Sequence, residues 1–330
     1  QIWYNSSAKA IKVVPTVTAW ASGGNLNTGR RAQASAGIQT AALSIGGTPP
    51  TTGKTESYNG SSWTETGDAN TARREASGAG TTTAALFFGG AHSDSALAES
   101  FNGSSWTEVG DLNTARGKMQ SGSGGTNTAA IGAGGSPGMD IVETWDGSSW
   151  TETTEVNTAR NTVGRLGTTN TAAFSVGGYL PGVSPDVSPA NELWNGSSWT
   201  ETTELNTVRY AMTGGGTSTS GILGGGSTPT MVNNAEAWNG SAWSEVSEIN
   251  TTRAYAAGTG LSTTNAIIFG GEVPSNTAIT ESWDGTSWTE VADLATPRGN
   301  VVGGAGASNT SALAFGGNDP SPARTTSTEE

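Results

Sequence analysis

The chain has 330 residues, a formal net charge of −13, 49 glycines, 12 tryptophans and no cysteine. With no cluster of Lys and Arg, this acidic balance argues against nucleic acid, where phosphate neutralisation needs grouped cations, and against anionic membrane surfaces. Lack of cysteine removes disulfide frameworks and thiolate metal sites, and no apolar run approaches the ~18 residues of a membrane span.

In chain order, the first residues are "QIWY" (Gln1 to Tyr4), and the chain starts with Gln rather than Met. We therefore expect the natural N-terminus to be processed or to lie outside this sequence. A degenerate half-repeat follows, "AWASGGNLNTGR", around Trp20. Full copies then begin at Tyr58 ("YNGSSWTETGDANTAR"), Phe101 ("FNGSSWTEVGDLNTAR") and Trp145 ("WDGSSWTETTEVNTAR"). Three more begin at Trp194 ("WNGSSWTETTELNTVR"), Trp238 ("WNGSAWSEVSEINTTR") and Trp283 ("WDGTSWTEVADLATPR"). The second aromatic falls at Trp20, Trp63, Trp106, Trp150, Trp199, Trp243 and Trp288, in steps of 43, 43, 44, 49, 44 and 45 residues. Such a period marks a repeat architecture, so residues 1–330 are expected to form one domain.

One unit shows the strands. From Arg73, "RREASGAGT" is small and weakly apolar, and "TAALFFGG" is a short apolar run ending in a Gly pair. "ALAESFNG" and "SSWTEVGD" alternate with period two. Asn-Gly or Asp-Gly between the third and fourth strands predicts a tight hairpin, read as a type I′ turn. No segment has a sustained helical period. Four antiparallel strands per ~45 residues, repeated seven times, predict an all-β, seven-bladed β-propeller. Small residues such as "AMTGGGT" (Ala211 to Thr217) belong on inner strands where blades converge, and the aromatics further out. At the far end, Glu329 or Glu330 is expected to begin a third strand. Gln1 to Tyr4 would supply or pair with the rest, and Trp20 would lie on the fourth. Both termini would then close the ring and remove exposed edges.

The Gly pairs run from Gly46-Gly47 to Gly316-Gly317. An apolar run ending in Gly-Gly, an aromatic after a Glu, a Trp five residues on and then an Arg resembles the kelch repeat over nearly the whole chain. The Thr/Asn/Ser-rich style, with "NGSSWTE" almost unvaried, is similar to kelch-like repeats in structural proteins of marine bacteriophages. WD repeats share the length, but their Gly-His and Trp-Asp signatures are missing.

No residue set suggests catalysis or a cofactor. His92 is the one histidine, and clusters for zinc or copper are absent. "GKT" (Gly53 to Thr55) lacks the rest of a phosphate loop. The hairpin is one residue short of the sialidase Asp-box. Sequons at Asn59, Asn102, Asn195 and Asn239 coincide with the hairpin turn, which accounts for them without a glycan. The repeated polar feature is Arg30, Arg73, Arg116, Arg160, Arg209, Arg253 and Arg298, each ten residues after a blade Trp. These arginines start the innermost strand and should ring one mouth of the channel. They serve either as an anion site or as partners of Glu56, Glu99, Glu143, Glu192, Glu236 and Glu281, and pairing is the favoured reading.

Length variation concentrates in the connection from the Gly pair to the next Glu: 9 residues from Gly47 to Glu56, and 14 from Gly178 to Glu192. That longest loop carries Tyr179 and Asp186. The two-three loops share a face with the Arg positions, and loops on a rigid scaffold are where binding resides. The expected function is therefore non-enzymatic attachment or display on a virion or extracellular surface. Its partners would be other virion or surface proteins or a host-surface glycan, with no nucleic acid and no membrane insertion. The alternatives are a purely structural virion decoration or tail-associated ring and, less favoured, a secreted glycan-active enzyme.

Overall fold

A computed structural model describes residues 2–5, 10–13, 19–91, 94–119, 125–136, 138–161, 163–182, 184, 186–299, 302–303, 308–319 and 324–330. The fold is an all-β propeller of four-stranded antiparallel blades. Blade 1 runs Ala34–Ile38, Ala41–Ile45, Thr55–Tyr58 and Trp63–Glu65, with neighbouring strands paired in sequence order. Blade 2 starts at Ser77–Thr81, blade 4 at Gly164–Thr169, blade 5 at Thr213–Thr217 and blade 6 at Ala257–Ser262, each with the same order. Blade 3 has three described strands, Ala130–Ala133, Val142–Trp145 and Trp150–Glu152. Inner strands pack so closely that small residues are required. A Cβ on Gly215 of blade 5 would lie 2.5 Å from the backbone nitrogen of Gly260 in blade 6.

The expected seven blades are corrected to six. The remaining segment forms a small three-stranded seam sheet, Val302–Gly303, Ala314–Phe315 and Thr328–Glu329, lying between blades 6 and 1. Its fourth-strand position is reduced to the single bridge Ser22↔Glu329, with Ala21 and Glu330 exchanging backbone hydrogen bonds of 2.8 and 2.9 Å. The physical reason lies in the hairpin. In every blade a tight turn joins strands three and four and holds their register. At the seam those segments come from distant parts of the sequence, no hairpin turn holds their register, and their pairing is reduced to one bridge. Nor does "QIWY" join the seam: Ile2–Asn5 pairs with Ala10–Val13 as a separate hairpin.

The hairpin turn also departs from the expected type I′. Asn59 has no positive φ; Gly60 does, at 92°. Gly60 and Ser61 are thus the central pair, with Gly first, as in a type II′ turn. The Asn59 side chain accepts hydrogen bonds from the backbone N–H groups of Ser61 and Ser62, both at 3.0 Å. Asn and Asp are interchangeable here because either supplies that acceptor oxygen.

Both residues of each Gly pair have positive φ, as at Gly46 (66°) and Gly47 (107°). The second glycine donates its N–H to the backbone carbonyl of the next repeat's Arg: Gly47 to Arg73 at 2.8 Å, Gly90 to Arg116 at 3.0 Å, Gly226 to Arg253 at 2.8 Å. The pair therefore turns the chain in a conformation that side chains disfavour and brings two blades into contact.

Trp63, Trp106, Trp150, Trp199, Trp243 and Trp288 are all buried, at 5–8 % exposure. Their indole N–H groups follow one rule. Trp20, Trp63 and Trp106 donate to the hydroxyls of Thr280, Thr328 and Thr55, the residue before the repeated Glu of the preceding sheet. For Trp150, Trp199, Trp243 and Trp288 that position holds Ala98, Val142, Asn191 and Ala235, and these four indole N–H groups have no partner. An unmet buried donor is costly. Ala98→Thr is expected to give Trp150 the acceptor that Thr55 gives Trp106, and to stabilise the protein by about 1 kcal/mol. Chemical denaturation of the variant checks this.

Candidate functional site

The seven repeated arginines are buried, between 0 and 3 % exposed. Each pairs with a glutamate: Arg30 with Glu56 (3.0 Å), Arg73 with Glu99 (2.6 Å), Arg160 with Glu192 (2.7 Å), Arg209 with Glu236 (2.5 Å) and Arg253 with Glu281 (2.9 Å). Arg116 pairs with Glu143, and Arg298 with Glu329. The glutamate's other oxygen accepts from the connection preceding the Arg, as where Asn206 donates to Glu236 Oε2 from its backbone (2.7 Å) and its amide (2.9 Å). The pair thus pins the incoming inter-blade connection to the third strand of the blade it enters. Burial lowers the guanidinium pKa of Arg30, Arg73, Arg160, Arg209, Arg253 and Arg298, and the glutamate charges work against that shift. Buried and each paired with a glutamate inside the protein, these arginines do not present cationic groups to a ligand on this face.

Two residues after the Arg, the chain takes a left-handed conformation at Ala32, Glu75, Lys118, Ala211 and Tyr255, with φ of 52–54°. These residues bond to one another from blade to blade: Glu75 N–H to the Ala32 carbonyl (2.8 Å), Lys118 to Glu75 (3.0 Å), Tyr255 to Ala211 (3.2 Å). They form an arc of inter-blade backbone bonds where the inner strands start. Non-glycine residues hold this conformation only where surrounding contacts impose it.

On this face the structure assembles an aromatic group. Tyr179 follows the Gly pair of blade 4 and bridges Asn161 and Val187. Its ring meets that of Tyr210, the residue after Arg209, edge-on at 5.5 Å. Tyr255 approaches Tyr210, Tyr179 and Glu272. All three tyrosines are half-buried. Asp186 lies in the same loop as Tyr179, closed by a hydrogen bond from the Leu180 N–H to the Asp186 carbonyl (2.9 Å), and is half-buried. Sequence reasoning singled out Tyr179 and Asp186 from loop length but missed Tyr210 and Tyr255. Both occupy repeat positions held by unrelated residues in other blades, such as Arg74 and Glu75. A tyrosine replacing those residues in two consecutive copies was the available signal.

Burial, with Tyr210, Glu272 and Tyr179 nearby, pushes the Tyr255 phenol up to about 12. Burial, with Glu330 adjacent, does the same for Tyr58. A tyrosine whose folded pKa is raised contributes stability that is complete below its ordinary value of about 10. That contribution is lost as pH rises from there through about 12. An alkaline absorbance titration should therefore show a late phenolate step near pH 12, and Tyr255→Phe should remove one equivalent from it.

His92 lies outside the described residues. Among the described residues no three His, Asp or Glu side chains gather as a metal set. The polar groups around the tyrosines are neutral or acidic, which suits hydrogen bonding to a hydroxylated ligand across aromatic faces.

No family model and no curated protein matches the chain. Among solved structures it is similar to YjhT, a propeller, with a TM-score of 0.57 and 13 % identity over 82 % of this chain and 99 % of that one. The likeness establishes the β-propeller fold.

Proposed function

We propose that this chain is a non-enzymatic, kelch-like repeat propeller of a virion or extracellular surface, serving attachment or display through the face that carries the two-three loops. The observation that carries this reading is the group Tyr179, Tyr210 and Tyr255 beside the longest loop, three of the chain's five tyrosines on one surface. Half-buried phenols offer apolar ring faces and hydroxyls together, at little loss of side-chain freedom. That combination fits a host-surface glycan or protein. The similarity of the "NGSSWTE" repeats in style to structural proteins of marine bacteriophages supports a virion as the bearer of such a surface.

A purely structural ring is the second reading. It is favoured by the hairpins, whose exposed side chains are mainly engaged in their own turns, as Asn59 is with Ser61 and Ser62. The test is binding of the purified protein to a glycan array and to intact marine bacterial cells. Attachment predicts saturable binding, weakened at least tenfold by Tyr179→Ala with Tyr210→Ala. Absence of binding to every glycan and cell would leave the structural ring.

A further inference from the structure

Four of the hairpin turns carry Asn followed by Gly: Asn59-Gly60, Asn102-Gly103, Asn195-Gly196 and Asn239-Gly240. All four asparagines are exposed. The Asn102 side-chain oxygen accepts three hydrogen bonds, from the Ser104 N–H, the Ser104 hydroxyl and the Ser105 N–H, each at 3.0 Å. The other three turns repeat this set over 2.8–3.0 Å. These donors lie beyond the glycine, so the carboxamide is folded back over the turn. The glycine N–H takes no part in the set.

Elementary chemistry gives this arrangement a reaction. A glycine nitrogen can close a five-membered ring on the Cγ of the preceding asparagine, and no Cβ crowds its approach. The oxygen on which negative charge develops during that attack already faces three donors, the arrangement that stabilises an oxyanion. Both reacting groups are held in one turn.

Two other copies of the turn show the product in place. Asp146 and Asp284 stand where the asparagines stand and accept the same backbone bonds, at 2.8 and 2.9 Å in each case. Hydrogen bonds from Ser149 and Ser148 hold the Asp146 carboxyl well below its ordinary range, at about 2. A carboxylate therefore fits the turn as well as the amide does. Asn113 is the contrast. It is exposed too, but the β-branched Thr114 follows it. The Asn113 amide donates to Glu143 at 2.8 Å and the Thr114 N–H donates to the same carboxylate at 3.3 Å, so the nucleophile is crowded and engaged.

We infer that Asn59, Asn102, Asn195 and Asn239 are sites of spontaneous deamidation, through which the folded protein adds carboxylates to its own hairpin turns. The glycine nitrogen bonds to the asparagine Cγ and gives its proton to solvent. The bond from Cγ to the side-chain nitrogen breaks, and ammonia leaves with a proton from solvent. Water then opens the cyclic imide. Attack at Cγ restores the peptide and yields aspartate, whereas attack at the main-chain carbonyl yields isoaspartate; nothing is oxidised or reduced. The turn favours aspartate, because isoaspartate lengthens the backbone by one methylene and loses the side-chain acceptor. Each event adds one negative charge to a chain already at −13, on the face opposite the two-three loops. The inference is independent of the attachment reading.

The test is incubation of the whole protein at mildly alkaline pH, with each site followed by peptide mapping and mass spectrometry. The four Asn-Gly sites should convert at least tenfold faster than Asn113, with aspartate as the main product. In urea the product ratio should shift toward isoaspartate. Ser104→Pro removes two of the three donors to Asn102 and should slow that site at least threefold, while Asn59, Asn195 and Asn239 in the same molecule keep their rates. Asn102→Asp, which carries the product directly, should leave Tm within about 1 °C of the parent. Conversion no faster than at Asn113 would overturn the sites. An unchanged rate at Asn102 in Ser104→Pro, or the same product ratio in the folded and urea-unfolded chain, would overturn the part played by the turn. A clear fall in Tm for Asn102→Asp would overturn the fit of the product.

Discussion

Replacing Glu236 by alanine is expected to destabilise the protein by about 3–5 kcal/mol, because it leaves a buried guanidinium without its counter-charge. Glu236 is fully buried. It accepts from Arg209 Nη1 at 2.5 Å, from Asn206 at 2.7 and 2.9 Å and from the Thr207 N–H at 3.3 Å. Its loss orphans one charge and three further donors in a single step. The cost measures the severed pair, not its net contribution, since a buried ion pair can be exchanged for apolar groups with little loss. Arg209→Met combined with Glu236→Leu should accordingly recover part of the deficit, the shortfall being the Asn206 and Thr207 donors. Urea denaturation of both variants separates the two. A loss below about 1 kcal/mol for the single substitution would mean that water replaces the carboxylate.

Trp238→Ala should cost a similar amount, about 3–5 kcal/mol. Trp238 is fully buried, packs on Phe174 of the preceding blade at 4.8 Å and on Trp243 at 5.4 Å, and donates to the Ser218 carbonyl at 2.9 Å. Truncation opens a cavity between two blades that converge on rigid strands and collapse poorly. Trp238→Phe should cost less than about 1.5 kcal/mol by preserving shape, because blade 2 already uses Phe101 at this position with the same packing on Trp106, at 4.9 Å. Hydrogen exchange of Trp238→Ala should show lost protection concentrated in blades 4 and 5. Uniform loss around the ring would contradict a local role for the hairpin aromatic.

Several features were readable because they recur. The strand order, the outer tryptophans, the Gly pairs and the Arg–Glu partnership each appear in copy after copy, so register and pairing follow from period alone. The partnership of Arg209 with Glu236, for instance, is legible as two residues advancing with the same step. The four indole donors without partners were not read from the sequence, because only the structure shows that each blade Trp faces the residue before the glutamate of the preceding sheet. The hairpin turn was only half legible. Asn-Gly marked its place, but the side-chain acceptor of Asn59 drew in the Ser61 and Ser62 N–H groups and moved the positive φ to Gly60 alone.

The sequence by itself determined the repeating unit, since each blade's ladder is built from residues within one period and closed by its own turns. Tertiary structure decided what happens where the period fails. It set six blades with a three-stranded seam, because strands from distant parts of the sequence have no hairpin turn to hold their register. It gathered Tyr179, Tyr210 and Tyr255, which belong to three successive blades and meet only where the inner strands converge. Contacts within a period follow from the order of residues, whereas contacts across the seam and between blades depend on how the ring brings distant segments together.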